Sequence, residues 1–194
     1  MPIESPGWGR GLRRLHWWTA GFVFAALPLG WLMVAVPLRA LLLKFLLYQL
    51  HKTIGLTVFG LALYRLGIRA RVRRPNWDSH LAEWQRRAAA IMHATLYVLL
   101  LAVPVLGYLT AALAPARVPT LFLGLIPIPH LVSPDARWFA IVRQVHRWAA
   151  VLLVTAAAGH AGAALEHHRR GRSVLRLMWG SDPESPVGSP STYK

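Results

Sequence analysis

A chain of 194 residues suits a single domain, and 55% hydrophobic residues together with a formal charge of +15 is a poor match to a soluble globular protein. So strong a positive charge raises nucleic-acid binding, but no arginine-rich motif or aromatic-interleaved soluble fold accompanies it, so no nucleic-acid partner is expected. Cysteine is absent, which excludes disulfides and thiolate metal sites.

Four apolar blocks follow one another, at about 17 to 36, 49 to 66, 88 to 113 and 139 to 165, each near the roughly 20 residues that a helix needs to cross about 30 Å of hydrocarbon. The first follows Arg10, Arg13, Arg14 and His16; it has the lead of a signal peptide but no good A-x-A site after it, and is expected to be a retained anchor. The second is the weakest, with His51 and Lys52 at its start and Arg65 near its end, all placed where charged side chains can snorkel to an interface. The third begins beside His93, with Tyr97 four residues on. The fourth holds His146 and His160 and is followed by His167 and His168. His80 and His130 fall in connections, where solvation is the expectation. Trp17, Trp18, Trp138, Trp148 and Trp179 stand at block ends as interface anchors. The Gly, Ser and Pro-rich tail from 180 to 194 is predicted to be disordered. The fold expected for residues 1 to 179 is all-α, a transmembrane four-helix bundle.

The basic residues divide unevenly between the two sides. One side holds Arg10, Arg13, Arg14, Arg65, Arg69, Arg71, Arg73, Arg74, Arg86, Arg87, Arg169, Arg170, Arg172, Arg176 and Lys194. The other holds Arg39, Lys44, Lys52, Arg117, Arg137, Arg143 and Arg147. The positive-inside rule then places both termini in the cytoplasm.

His146 and His160 lie fourteen residues apart, just under four helical turns, so they face nearly the same way with a rise of about 21 Å between them. His16 opens the first helix on the inner side and His51 opens the second on the outer side. Depth therefore pairs His16 with His160 and His51 with His146. Two imidazoles on opposite faces of a porphyrin complete six-coordination at iron, a closed site suited to electron transfer. Without cysteine, the haem would be held non-covalently, as a b-type haem. Each histidine alone reads equally as an ordinary helix-end residue, and zinc is the other metal reading, although two ligands per level fall short of a tetrahedral set.

The segments LHWW at His16, LHKTIG at His51, MHATLYVLLLAVPVLGYL from Met92, VHRW at His146, and GHAGAALEHH followed by SVLRLM resemble the prokaryotic cytochrome b561 family over roughly residues 12 to 179. The eukaryotic ascorbate-dependent b561 proteins have more helices and match less well. The resemblance implies a bacterial inner membrane as the setting and two haem b groups, with His16 and His160 as metal ligands of the inner iron and His51 and His146 of the outer. It implies no ligand role for His93, and it implies that His167, matching a histidine beside the quinone pocket of quinone-reducing members, faces ubiquinone as acceptor. Some members oxidise superoxide at the outer face, which implies a superoxide:quinone oxidoreductase. The residues themselves add two points. Arg65 lies fourteen residues after His51, at the inner level, as a partner for haem propionates or a snorkelling arginine. Lys44, Lys52, Arg143 and Arg147 form a positive outer mouth that would draw in a small anionic donor, or else neutralise propionates and meet membrane lipid phosphates. A protein electron donor, a cytochrome subunit of a hydrogenase or other dehydrogenase, and a non-redox membrane protein are the other readings.

Overall fold

The computed structural model describes residues 10–71, 82–170 and 174–179. The expected tail, His80 and the basic pair Arg73 and Arg74 lie outside these residues. Four long helices run up and down: α1 (Arg10–Ala35), α2 (Leu41–Arg71), α3 (Glu83–Leu113) and α4 (Ala136–Arg169), with a 3₁₀ turn at Leu38–Ala40 and a short α5 (Val174–Trp179). All four are long and apolar enough to cross a membrane, and their outward faces carry large exposed apolar side chains such as Trp31, Leu42, Ile91 and Val98. The start of α1, the end of α2, the start of α3, the end of α4 and α5 share one end of the bundle, called here the basic end; the other is the hairpin end.

Each helix extends beyond the apolar block that announced it, α2 most of all: it begins at Leu41 and not at Gln49. The extra turns take in Lys44. Its ammonium donates to the carbonyls of Met33 (3.1 Å), Val34 (3.2 Å) and Val36 (2.7 Å), at and just past the C-terminus of α1. The last turn of α1 holds no basic residue, so Lys44 supplies both the missing donors and the charge that a helix C-terminus favours. At the start of α4, Asp135 Oδ1 accepts from the backbone N–H of Trp138 at 2.9 Å, an N-cap.

A seven-residue register organises the interior. Seven residues of α-helix are nearly two turns and rise about 10 Å, so residues at that spacing fall on one face. The buried core unites Val23 of α1, Val58 of α2, Leu100 of α3 and Leu153 of α4. Seven residues from each toward the basic end stand His16, Arg65, His93 and His160; seven toward the hairpin end stand Gly30, His51, Gly107 and His146. The bundle is thus an apolar layer between two polar ones.

One departure from an all-helical chain closes the hairpin end. Residues between α3 and α4 form an antiparallel pair, β1 (Thr120–Phe122) and β2 (Ile126–Ile128), with Thr120 opposite Ile128 and Phe122 opposite Ile126. The turn between them has Leu123 at φ 54° and Gly124 at φ 72°, and Leu125 N–H bonds to Phe122 O at 3.1 Å. Positive φ at both central positions is the turn that matches the twist of a two-stranded ribbon, easy for glycine and strained for leucine. α2 holds the ribbon down. Buried Gln49 donates through Nε2 to Pro119 O (2.8 Å) and accepts through Oε1 from Leu121 N–H (2.9 Å), and Thr53 Oγ1 accepts from the N–H of strained Leu123 (3.1 Å). Tyr108 of α3 clamps the far side, donating to Pro129 O (2.9 Å) and accepting from Leu131 N–H (2.8 Å). Gln49→Leu removes two of these bonds and leaves their backbone partners unpaired, a loss of about 1–3 kcal/mol. Hydrogen exchange is expected to speed up at the amides of residues 118–131 while those of α1 and α4 keep their protection.

Candidate cofactor-binding site

At the hairpin end, α2 and α4 supply imidazoles while α1 and α3 supply surfaces for them to lie on. The His51 ring rests on α1, with Nδ1 3.2 Å from Ala26 O. The His146 ring rests on α3, with Nδ1 3.0 Å from Val103 O. In both cases the residue four positions past the accepting carbonyl is glycine. A Cβ added at Gly30 would lie 3.2 Å from His51 Cε1, and one at Gly107 3.1 Å from His146 Cε1. Proline stands within two residues of each carbonyl, Pro28 in α1 and Pro104 in α3, and removes one rung from the local helical ladder. A carbonyl can only accept, so each Nδ1 carries the proton and each Nε2 keeps its lone pair free for a metal.

The two rings are 6.3 Å apart between centroids with planes at 85°. At the basic end His16 and His160 are also 6.3 Å apart, with planes at 75°. Imidazoles that share one metal ion through nitrogens at about 2 Å each have centroids roughly 6 Å apart. The ligand pairs expected from depth alone are therefore the pairs brought together. No group of three or more metal-binding side chains occurs among the described residues, so a two-ligand site completed by a porphyrin fits better than a tetrahedral zinc site.

The basic end is built differently. Arg65 Nη1 lies 3.0 Å from His16 Nδ1; the guanidinium can only donate, so that nitrogen accepts and the His16 proton sits on Nε2. A metal bound through Nε2 requires the proton to move and Arg65 to turn away. The guanidinium has reason to turn: Arg65 is half-buried, and the only ion pairs among the described residues join Arg87 to Glu83 and Arg170 to Glu166. Such a cation calls for an anion, and a haem propionate would serve. Arg65 and Arg69 also lie over the Tyr97 ring, at 5.8 and 5.2 Å. His93, which falls in this layer, stands 5.3 Å from His160, ring to ring.

The other expected site residues are scattered. Lys44 is taken up at the end of α1. Lys52 reaches the hairpin, its ammonium 3.1 Å from Pro119 O and 3.5 Å from Val118 O. Arg143 lies over the Phe139 ring at 5.2 Å, and Arg147, next to His146, is exposed. His167 is half-buried in the last turn of α4, seven residues past His160, and His168 is exposed. His130 is less solvated than expected: it is half-buried, its Nε2 is 3.0 Å from Thr120 Oγ1, and its ring contacts Tyr108. Burial and the nearby Lys52 ammonium hold its pKa below the ordinary imidazole value. With Arg117 and Ser133 it lines a cavity of about 340 Å³ beside buried Ala112. Sequence reasoning missed Gly30 and Gly107, although their seven-residue spacing from Val23 and Leu100 was present to be read.

A family model described as prokaryotic cytochrome b561 matches residues 7–181. Cytochrome b561 homolog 1 of Escherichia coli (strain K12) is 34% identical over 170 residues, covering 84% of this chain and 92% of that protein.

Two substitutions separate the levels. With one haem at each level, Gly107→Val, which presses on the His146 ring, would cut haem content to about half in a pyridine haemochrome assay and keep the basic-end signal in a redox titration. Arg65→Leu is expected to shift the midpoint potential of the basic-end component and leave the hairpin-end component in place.

Proposed function

From the premise that this chain belongs to the prokaryotic cytochrome b561 family, and so is a membrane cytochrome that binds haem b and carries electrons, we propose that it holds two b haems and moves single electrons from superoxide at the hairpin end to ubiquinone at the basic end. The observation that carries the reading is the pair of equal 6.3 Å imidazole separations at opposite ends of a buried apolar layer. When bound, the haem irons supply one-electron chemistry; the chain supplies placement and electrostatics. His51 and His146 would hold the iron at the hairpin end, and His16 and His160 the iron at the basic end.

Chemistry at the two ends balances. Each superoxide gives up one electron and leaves as dioxygen; two such electrons and two protons convert a quinone to its quinol. At the hairpin end Lys52, Arg143 and Arg147 create a positive field, with Lys44 adding its charge from the end of α1, and a small anion is drawn to it. At the basic end His167, one register step beyond His160, would hydrogen-bond a quinone carbonyl or hand it a proton. The positive-inside distribution supports a basic end and both termini on the cytoplasmic side, and membership of a prokaryotic family supports a bacterial inner membrane.

Stopped-flow mixing of superoxide and a short-chain ubiquinone with the haem-loaded protein tests the reading. The rate is expected to fall about ten-fold or more from low to high ionic strength, and Arg147→Gln to slow the low-salt reaction and weaken, without abolishing, that dependence. A salt-independent rate would refute steering. Fewer than two haems per chain would refute the electron path.

A further inference from the structure

Near the start of α1 the structure holds a cavity that neither the haem sites nor the proposed quinone contact uses. It measures about 690 Å³ and is lined along α1 by Arg10, Arg13, Arg14, Trp17, Trp18 and Gly21, a volume within the range of small-molecule sites. These residues stand at positions 0, 3, 4, 7, 8 and 11 of one helix, a single face. Met178 and Trp179 of α5 close the other side. Trp17 fastens that wall, its indole N–H donating to Met178 O at 3.0 Å and its ring meeting Trp179 edge to face at 4.9 Å.

Chemistry changes along the stripe. Three guanidinium groups come first, then indoles, then open space: a Cβ added at Gly21 would meet nothing within 4 Å. The change occupies about 16 Å of helix, from the membrane surface into the span. Like charges three and four residues apart repel, yet no carboxylate among the described residues relieves them. Glu83 pairs with Arg87, Glu166 pairs with Arg170, and Asp135 caps α4 at the opposite end.

We propose that this cavity is a binding site for one anionic phospholipid, its phosphate on Arg10, Arg13 and Arg14 and an acyl chain along Trp18 and Gly21. Cation, aromatic and apolar slot occur in the order in which a phospholipid presents phosphate, glycerol backbone and chain, and basic pockets on the cytoplasmic side of membrane helices take anionic headgroups. Trp18 stacks on Phe22 at 5.9 Å, which continues the apolar wall inward. The lipid would bridge α5 to α1 one residue from His16, whose ring is 5.3 Å from that of Trp17.

The test uses the full-length, haem-loaded protein, stripped of lipid by detergent exchange and offered equal amounts of phosphatidylglycerol and phosphatidylcholine with identical chains. Native mass spectrometry counts what is retained. One phosphatidylglycerol per chain is expected, preferred about ten-fold or more. Arg13→Gln with Arg14→Gln is expected to abolish the preference. Gly21→Leu, which keeps every charge and fills the slot, is expected to lower retention as well. Haem content and spectrum serve as the folding control for both variants. Equal retention of the two lipids, or an unchanged preference in the arginine variant, would overturn the proposal. So would displacement by millimolar inorganic phosphate with Gly21→Leu silent, which marks a free-phosphate site, or displacement by a short-chain ubiquinone, which assigns the cavity to quinone.

Discussion

A histidine inside a membrane bundle has no water to satisfy its second nitrogen, so the chain itself must decide which nitrogen carries the proton. At the hairpin end that decision is made by backbone: Ala26 O and Val103 O take the Nδ1 protons of His51 and His146. The rings can reach those carbonyls only because Gly30 and Gly107 leave room for Cε1. At the basic end the same positions on α1 and α3 are filled by His16 and His93, and the decision falls to a side chain, Arg65. For the proposed sites this means that the hairpin-end pair has its free nitrogens set by the fold alone, whereas at the basic end His16 would have to exchange one hydrogen bond for another to offer Nε2 to a metal.

Between the two levels lies the layer of Val23, Val58, Leu100 and Leu153, each buried. Hydrocarbon side chains offer an ion or a proton no partner, and a charge at that depth is costly. An electron needs none. The register that aligns the imidazoles also places this layer midway, since Val58 is seven residues from both His51 and Arg65, and Leu153 seven from both His146 and His160. α4 alone carries a ring at both levels, which is why its spacing of fourteen was the most legible feature of the chain.

The four spans and the two histidine pairs were readable because both rest on periodicity and hydropathy, which a helix in lipid must obey almost residue by residue. Helix ends were less so. α2 runs eight residues further back than its apolar block: residues 41–48 are apolar except for Lys44, and that lysine is tolerated inside the helix because its ammonium finds carbonyls at the end of α1. The ribbon at 120–128 escaped for a similar reason. Its strands are three residues each and one contains Pro127, so local propensity is weak; what secures it is Gln49, Thr53 and Tyr108, far away in sequence. His130 looked like a loop histidine and is half-buried because that ribbon folds back over α2.

The cations at the hairpin end show why a residue's hydrogen bonds and its electrostatic role are separate matters. Lys44 and Lys52 are both engaged with backbone carbonyls, and neither ammonium stands ready to grip a ligand. Their charge is not consumed by those bonds. A carbonyl is neutral overall, so each lysine still adds a full positive charge to the field above His51 and His146, and fixing it in place keeps that field constant in direction. Asp135 is the one described acid at that end, and it is turned toward the N-terminus of α4. In the proposed function, long-range attraction therefore comes from the whole set, while direct contact with the anion would fall to exposed guanidinium groups such as Arg143 and Arg147 near His146 and Arg117 at the rim of the neighbouring cavity.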